Sequence, residues 1–380
     1  MASAAVAQDL TDSEKGGQES SGAEATHSQS LAFAPALPSP RAPRSIINDV
    51  ARAGDRLVAI GEQGHIIYSD DDGSTWVHAQ VPVSVMLTSV AFASASAGWA
   101  VGHEGIVLHS EDRGASWNIQ LDGKAIADMQ KQAAAAKIER LQQQLDALDD
   151  ADAQEEMQYA LEDAEFALED LETLGDEGIN TPLLSVIFFS PSEGFATGAY
   201  GVVLHTRDAG KNWSLLSGRL KNPDGFHIYG IGKSVSGALF AVGEAGKLFR
   251  SVDGGEQWQA LDSPYQGSFF GVLTPPDGSV VIFGLRGRIY RSSDEGETWQ
   301  AADSPAQATL MGGTVLEDGQ LLLGGASGTI LVSSDFGQSF SELATDYLDT
   351  VSSISARRNG DLIITGLGGI EAVDRDTGGD

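Results

Sequence analysis

Three glutamates, Glu62, Glu104 and Glu244, stand between closely spaced glycines, and His103, Tyr200 and Arg286 occupy the same kind of position. Two carboxylates about 5–9.5 Å apart can cleave a glycosidic bond, one as acid and the other as base or nucleophile. The plainer reading of these six side chains is a polar, hydrated rim that binds a small ligand or peptide, or nothing. A second set of carboxylates comprises Asp71, Asp112, Asp208, Asp253, Asp294 and Asp335. Each follows a Ser or Thr by two residues and precedes a Gly by two. A short carboxylate in that setting accepts backbone N–H bonds inside a tight turn, so these six read as structural. No catalytic residue is assigned. The chain has no cysteine, so it has no thiol nucleophile, disulfide frame or Cys-ligated metal. His109 and His205 sit at equivalent repeat positions, which argues against a metal pair, and no cofactor is expected.

The elements that must carry these side chains follow from a repeat. Paired glycines begin at 61, 102, 198, 243, 284, 325 and 366, a spacing of 41 residues wherever nothing is inserted. About eight residues later comes S/T-x-D-x-G-x-x-W, complete in five units and ending in Phe340 in a sixth. A period of roughly 40–50 residues that alternates short strands with glycine turns predicts an all-β propeller. One unit cannot bury its own apolar face, so the copies must stack about an axis. The strand order puts the paired-glycine turns, with Glu62, His103, Glu104, Tyr200, Glu244 and Arg286, around the channel mouth. The second motif looks like the Asp-box, or BNR repeat, of sialidase-like propellers. It carries the turn of that family without its chemistry, because no arginine triad or early FRIP-like motif accompanies it. A glycan-binding or sialidase-like glycoside hydrolase is the alternative function.

The seventh unit degrades to Asp374, Asp376 and Gly378, leaving three strands near 351–356, 362–365 and 369–373. An unpaired sheet edge is a liability. The apolar segment Ser30–Ala36 is the expected donor, which predicts a seven-bladed ring closed by an N-terminal strand. Residues 1–29 read as a disordered tail, in which Ala5 and Ala7 resemble the end of a signal peptide. Residues 30–121 hold the closing strand and units one and two, and 181–380 hold units three to seven.

Residues 122–180 interrupt this period. Ile138, Leu141, Leu145 and Leu148, then Met157, Leu161, Ala164, Leu168 and Leu171, recur at three and four. That spacing predicts two helices in an antiparallel coiled hairpin that projects from the channel face near its mouth. No Lys or Arg occurs between Arg140 and Arg207, and Glu155, Glu162, Glu165 and Glu169 make an acidic face for partner docking. The whole chain has a formal charge of −31. Such a surface repels nucleic acid and anionic lipid and suits a basic partner. No apolar run reaches the length of a membrane span, so direct membrane insertion is not expected.

The unit V/A-G-x-x-G-x-[ILV]-x-x-[ST]-x-D-x-G-x-x-W is similar to that of the photosystem II assembly and stability factor propellers and their bacterial relatives. The likeness covers about 46–120 and 183–376. It implies a non-enzymatic, exported scaffold that holds a membrane-protein subunit during assembly. The photosynthetic members use an arginine-rich patch, whereas the face here is acidic and carries a hairpin that their pattern lacks. The non-photosynthetic branch is thus the nearer likeness. It implies a periplasmic accessory protein of a membrane-protein complex, including RND-type transporters, and monomeric on its own.

Overall fold

The computed structural model describes residues 33–177 and 181–375. Among these, the strands form seven antiparallel sheets, six of four strands and one of three. The first sheet sets the plan, with β1 (Ile47–Ala53), β2 (Arg56–Gly61), β3 (Ile66–Ser69) and β4 (Val77–His78) paired in sequence order. The second strand of every sheet is a run such as Leu57–Gly61, Leu239–Gly243 or Leu321–Gly325, buried residue after residue. Both its faces meet neighbouring sheets, so it shows no polar alternation. The leading glycine ends that run for a steric reason. A Cβ on Gly243 would lie 2.2 Å from the His227 carbonyl oxygen, at the entry to the first strand.

Apolar clusters lie between consecutive sheets, and the motif aromatics fill them. Trp117 joins Val58 and Ile60 of the preceding sheet, and Trp258 joins Phe195 and Val203. Their indoles also donate to Gly114 and Gly255 carbonyls, at 3.0 and 3.1 Å. The aspartates form the expected turns. Asp71 accepts from the Ser69 hydroxyl at 2.8 Å and the Thr75 N–H at 2.7 Å, and the pattern recurs at Asp112, Asp208, Asp253, Asp294 and Asp335.

The first sheet packs on the seventh. Ile363 shares a cluster with Leu57 and Ile67, and Arg52 Nε donates to the Ala356 carbonyl at 3.0 Å. Asp72 adds an ion pair to Arg52 at 2.8 Å and accepts the Arg358 N–H at 2.8 Å. Burial would raise its pKa, but Arg52 and the Arg358 N–H hold the carboxyl below its usual range. Of the expected closing strand Ser30–Ala36, only Phe33–Ala36 falls among the described residues. Among the described residues the seventh sheet has three strands, and Phe33–Ala36 is not one of them. Ala36 instead donates to the Val81 carbonyl at 3.1 Å, at the outer side of the first sheet. Ser30–Ala32, Asp376 and Gly378 lie outside the described residues. The edge at Gly369–Val373 is met by a helical turn, Ala42–Arg44, so close that a Cβ on Gly369 would lie 2.4 Å from the Pro43 carbonyl. Two helices interrupt the sheets, α1 (Gly123–Asp146) and α2 (Ala151–Glu177).

Candidate functional site: the channel mouth and hairpin

Six of the seven paired-glycine turns share one backbone. Its second middle residue is left-handed without being glycine, at Gln63, Glu104, Tyr200, Ala245, Arg286 and Ser327, with φ between 51° and 59°. The side chain there points off the turn, and Tyr200 is 63% exposed. The closing glycine abuts the connection into the next sheet. A Cβ on Gly64 would lie 2.1 Å from the Val83 carbonyl, and one on Gly246 2.2 Å from that of Tyr265. On Gly105 the nearest atom is Cα of Gly123, at 2.7 Å. The hairpin therefore starts in the slot that an ordinary connecting loop fills elsewhere.

The glutamates at these turns serve their own sheets. Glu62 Oε1 accepts the Ile46 N–H at 3.3 Å, just before β1. Glu244 Oε2 accepts the corresponding His227 N–H at 3.3 Å and lies 2.8 Å from His227 Nδ1. Two carboxylates at equivalent repeat positions thus do the same job, tying the turn to the entry of the first strand. Tyr200 stands over His227, with ring centroids 5.5 Å apart. Arg286 is exposed, and His103 and Glu104 are half-buried at the foot of the hairpin. Among the described residues no three His, Asp or Glu side chains cluster as metal ligands.

The side chains that line the channel are others. The residue after the first apolar position of each innermost strand turns inward at a register shift, as at Ile47/Asp49 and Phe269/Gly271. In sheets three to six these residues are Leu184, Tyr229, Phe270 and Met311. In sheets seven, one and two they are Ser352, Asn48 and Thr88. Together they border a cavity of about 210 Å³. Asn48 donates to the Leu87 carbonyl and Thr88 to that of Leu183, both at 2.7 Å, so the polar arc staples neighbouring sheets. In the apolar arc Tyr229 instead meets Phe270 with centroids 4.9 Å apart. The sequence signal was present in the spacing of Tyr229, Phe270, Met311 and Ser352. It was overlooked because strict strand alternation does not register a bulge.

The hairpin root is part of the folded core. Asp122 caps α1 by accepting the Ala125 N–H at 2.9 Å, and Ile126 is fully buried among Val101, Val107 and Val202. Ala125 and Met129 pack with Leu215, on the outermost strand of the third sheet. The root thus packs toward the outermost strand of the third sheet. Leu161 and Ala164 of α2 are buried, whereas Glu155, Glu162, Glu165 and Glu169 are exposed as the spacing predicts. Exposed with them, and missed in the sequence, are Tyr159 and Phe166, at 60% and 65%. They lie seven residues apart and so share a face of α2. Among the described residues no helix is long and apolar enough to cross a membrane.

Known proteins resemble this arrangement. The sequence profile of the photosynthesis system II assembly factor YCF48 matches residues 36–139 and 167–312. The gap between the two stretches falls on the outer part of the hairpin. No curated protein matches the chain in sequence. Among solved structures, YCF48 bound to a D1 peptide is similar with a TM-score of 0.60 and 18% identity, covering 87% of this chain and 93% of that one. YCF48 from Cyanidioschyzon merolae gives 0.57 and 14%, covering 88% and 96%. The WD40 β-propeller domain of Doa1 gives 0.58 and 10%, covering 91% and 97%. At such identities the likeness is one of fold, and that fold is the propeller.

Proposed function

Because the chain belongs to the photosynthesis system II assembly factor YCF48 family, we propose that it is a non-enzymatic, seven-bladed scaffold that docks to a membrane-protein complex. The observation that carries this reading is the hairpin: a rigid root buried in the ring and an outer face bearing Tyr159, Phe166 and an unbroken set of carboxylates. Aromatic side chains held on a fixed helix contribute contact area at little entropic cost, and the surrounding charge selects a basic partner. The family profile leaves residues 140–166 unmatched, a stretch that holds Glu155, Tyr159, Glu162, Glu165 and Phe166. An exported, periplasmic protein that serves an RND-type transporter or a similar assembly fits this reading, with the scaffold monomeric when free. The solved relative bound to a D1 peptide supports protein binding as the general role. The glycoside hydrolase alternative loses its support at Glu62 and Glu244, whose repeat-equivalent bonds account for both.

The test is capture from solubilised membranes with the full chain, followed by mass spectrometry. Tyr159→Ser with Phe166→Ser, and separately Glu162→Lys with Glu165→Lys and Glu169→Lys, alter only exposed side chains. Both variants should keep the native melting temperature and lose the captured complex. Raising salt from about 50 to 500 mM should slow association more than it speeds dissociation, since charges are screened over about 8 Å at physiological ionic strength. Recovery of the same complex by both variants would refute hairpin docking.

A further inference from the structure

The outward side of α2 has a repeating composition. Phe166 stands two positions from Ala164 and five from Leu161, the two buried residues of this helix. At about 100° per residue, that spacing turns it away from the packed side, and Tyr159 lies two turns earlier on the same line. A helix with nothing to meet carries its most polar residues there. Two aromatic rings stand there instead, 60% and 65% exposed.

Glu155, Glu162 and Glu169 repeat at the same interval of seven, and so do Glu156, Asp163 and Asp170, all of them exposed. Residues three and four apart are neighbours on a helix surface. Each ring is therefore bordered on both sides by carboxylates, Tyr159 by Glu162 and Asp163, Phe166 by Glu169 and Asp170. The helix itself holds no Lys, Arg or His. Among the described residues none of the six carboxylates forms an ion pair. The one hydrogen bond to them runs from the Tyr159 hydroxyl to Glu155 at 3.3 Å. The face is thus an apolar ridge between two rows of unmatched negative charge.

The interval fixes the shape of what can lie along that ridge. Seven residues of helix advance about 10.5 Å. Same-face positions of an extended strand recur about every 6.6 Å, so they fall at about 6.6 and 13.2 Å and miss that spacing. A second helix meets it with every seventh residue, as in a coiled coil. Charge fixes the flanks. Carboxylate rows on both sides of the ridge call for cations on both sides of the matching apolar stripe. A second copy of α2 fails on charge, since it brings the same carboxylates.

We propose that the partner meets α2 with one basic amphipathic helix, apolar at every seventh residue and carrying Lys or Arg three and four residues beyond each. This rests on the hairpin-docking reading above and names the element that meets it.

The probe is an acetylated, amidated peptide of three repeats of Leu-Ala-Gln-Lys-Lys-Ala-Gln, labelled with fluorescein and read by anisotropy against the full chain. One control replaces an Ala of each repeat with Pro, which keeps the charge and breaks the helix. The other exchanges Lys for Glu. The heptad peptide should bind saturably, and both controls at least an order of magnitude more weakly. Tyr159→Ser with Phe166→Ser should weaken the heptad peptide by a similar factor. Tyr159→Leu with Phe166→Leu should restore it, because leucine keeps the ridge apolar, and the melting temperature reports an intact fold in both. Equal binding of the heptad and proline peptides would overturn the helix. Binding unaffected by the serine pair would overturn this face, and so would no saturable binding at about 50 mM salt, where screening is weak. Capture from membranes separates this proposal from the docking reading. If the hairpin variants lose the complex while heptad and proline peptides bind alike, the helix fails and docking stands. Variants that keep the complex refute docking, and the partner helix with it, whatever the peptides do.

Discussion

Asp71 and Asp294 are held to a pKa of about 2 by the hydroxyl and backbone N–H of Thr75 and Thr298, with further bonds from Ser69 and Ser292. Their usual value is 3.8, so as pH falls the unfolded chain takes up these protons before the folded one does. The stability these two turns contribute is complete above about pH 4 and is lost as pH falls toward 2. Melting temperatures measured from pH 5 to pH 2 should drop most steeply in that window. Asp71→Asn with Asp294→Asn should lower stability at neutral pH and flatten the acid drop. An unchanged acid slope would show that other carboxylates govern it. These aspartates were legible because their bonds reach no more than four residues along the chain. Glu62 and Glu244 were harder to interpret, because each bonds to a strand entry that spacing alone does not bring near it.

Among the elements, the hairpin carries the sharpest contrast between its two ends. Ile126 at its root is fully buried in the cluster that joins the second and third sheets, whereas Leu145 near its tip is only half-buried and outside that cluster. Ile126→Ala should therefore cost the ring about 2–5 kcal/mol, the range for truncating a large core side chain. Leu145→Ala should loosen the tip and leave the main unfolding transition where it was. Urea melts followed by tryptophan fluorescence separate the two, since the six tryptophans all lie outside the hairpin. Equal effects on that transition would mean that hairpin and ring unfold as one unit. The helices and all seven sheets, the three-stranded one included, could be predicted from periodicity, because apolar spacing and glycine turns are local. The turn Ala42–Arg44 could not, since three residues carry no period and their role depends on a strand more than three hundred positions away. The channel arc went unpredicted for a related reason: a bulge rotates one residue inward without altering the pattern on either side.

For the molecule as a whole, each sheet is built from an uninterrupted stretch of chain, so nearly all strand pairing is local. The junction of first and last sheets is the exception, with Arg52 bonded to Ala356 across 304 positions and Asp72 to Arg358 across 286. Contacts at that separation require closure of the longest loops and gain nothing until the sheets they join exist. Docking of the first sheet on the seventh should then be the last event of folding and the first to reverse. Asp72→Asn should accordingly speed unfolding while leaving the refolding rate nearly unchanged, as stopped-flow chevrons can measure. A refolding arm slowed by the same factor would put the junction in the nucleus. With the junction forming last, the time a closed molecule survives is set by a few side chains at one seam. That lifetime can change without any change at the surfaces that meet a partner.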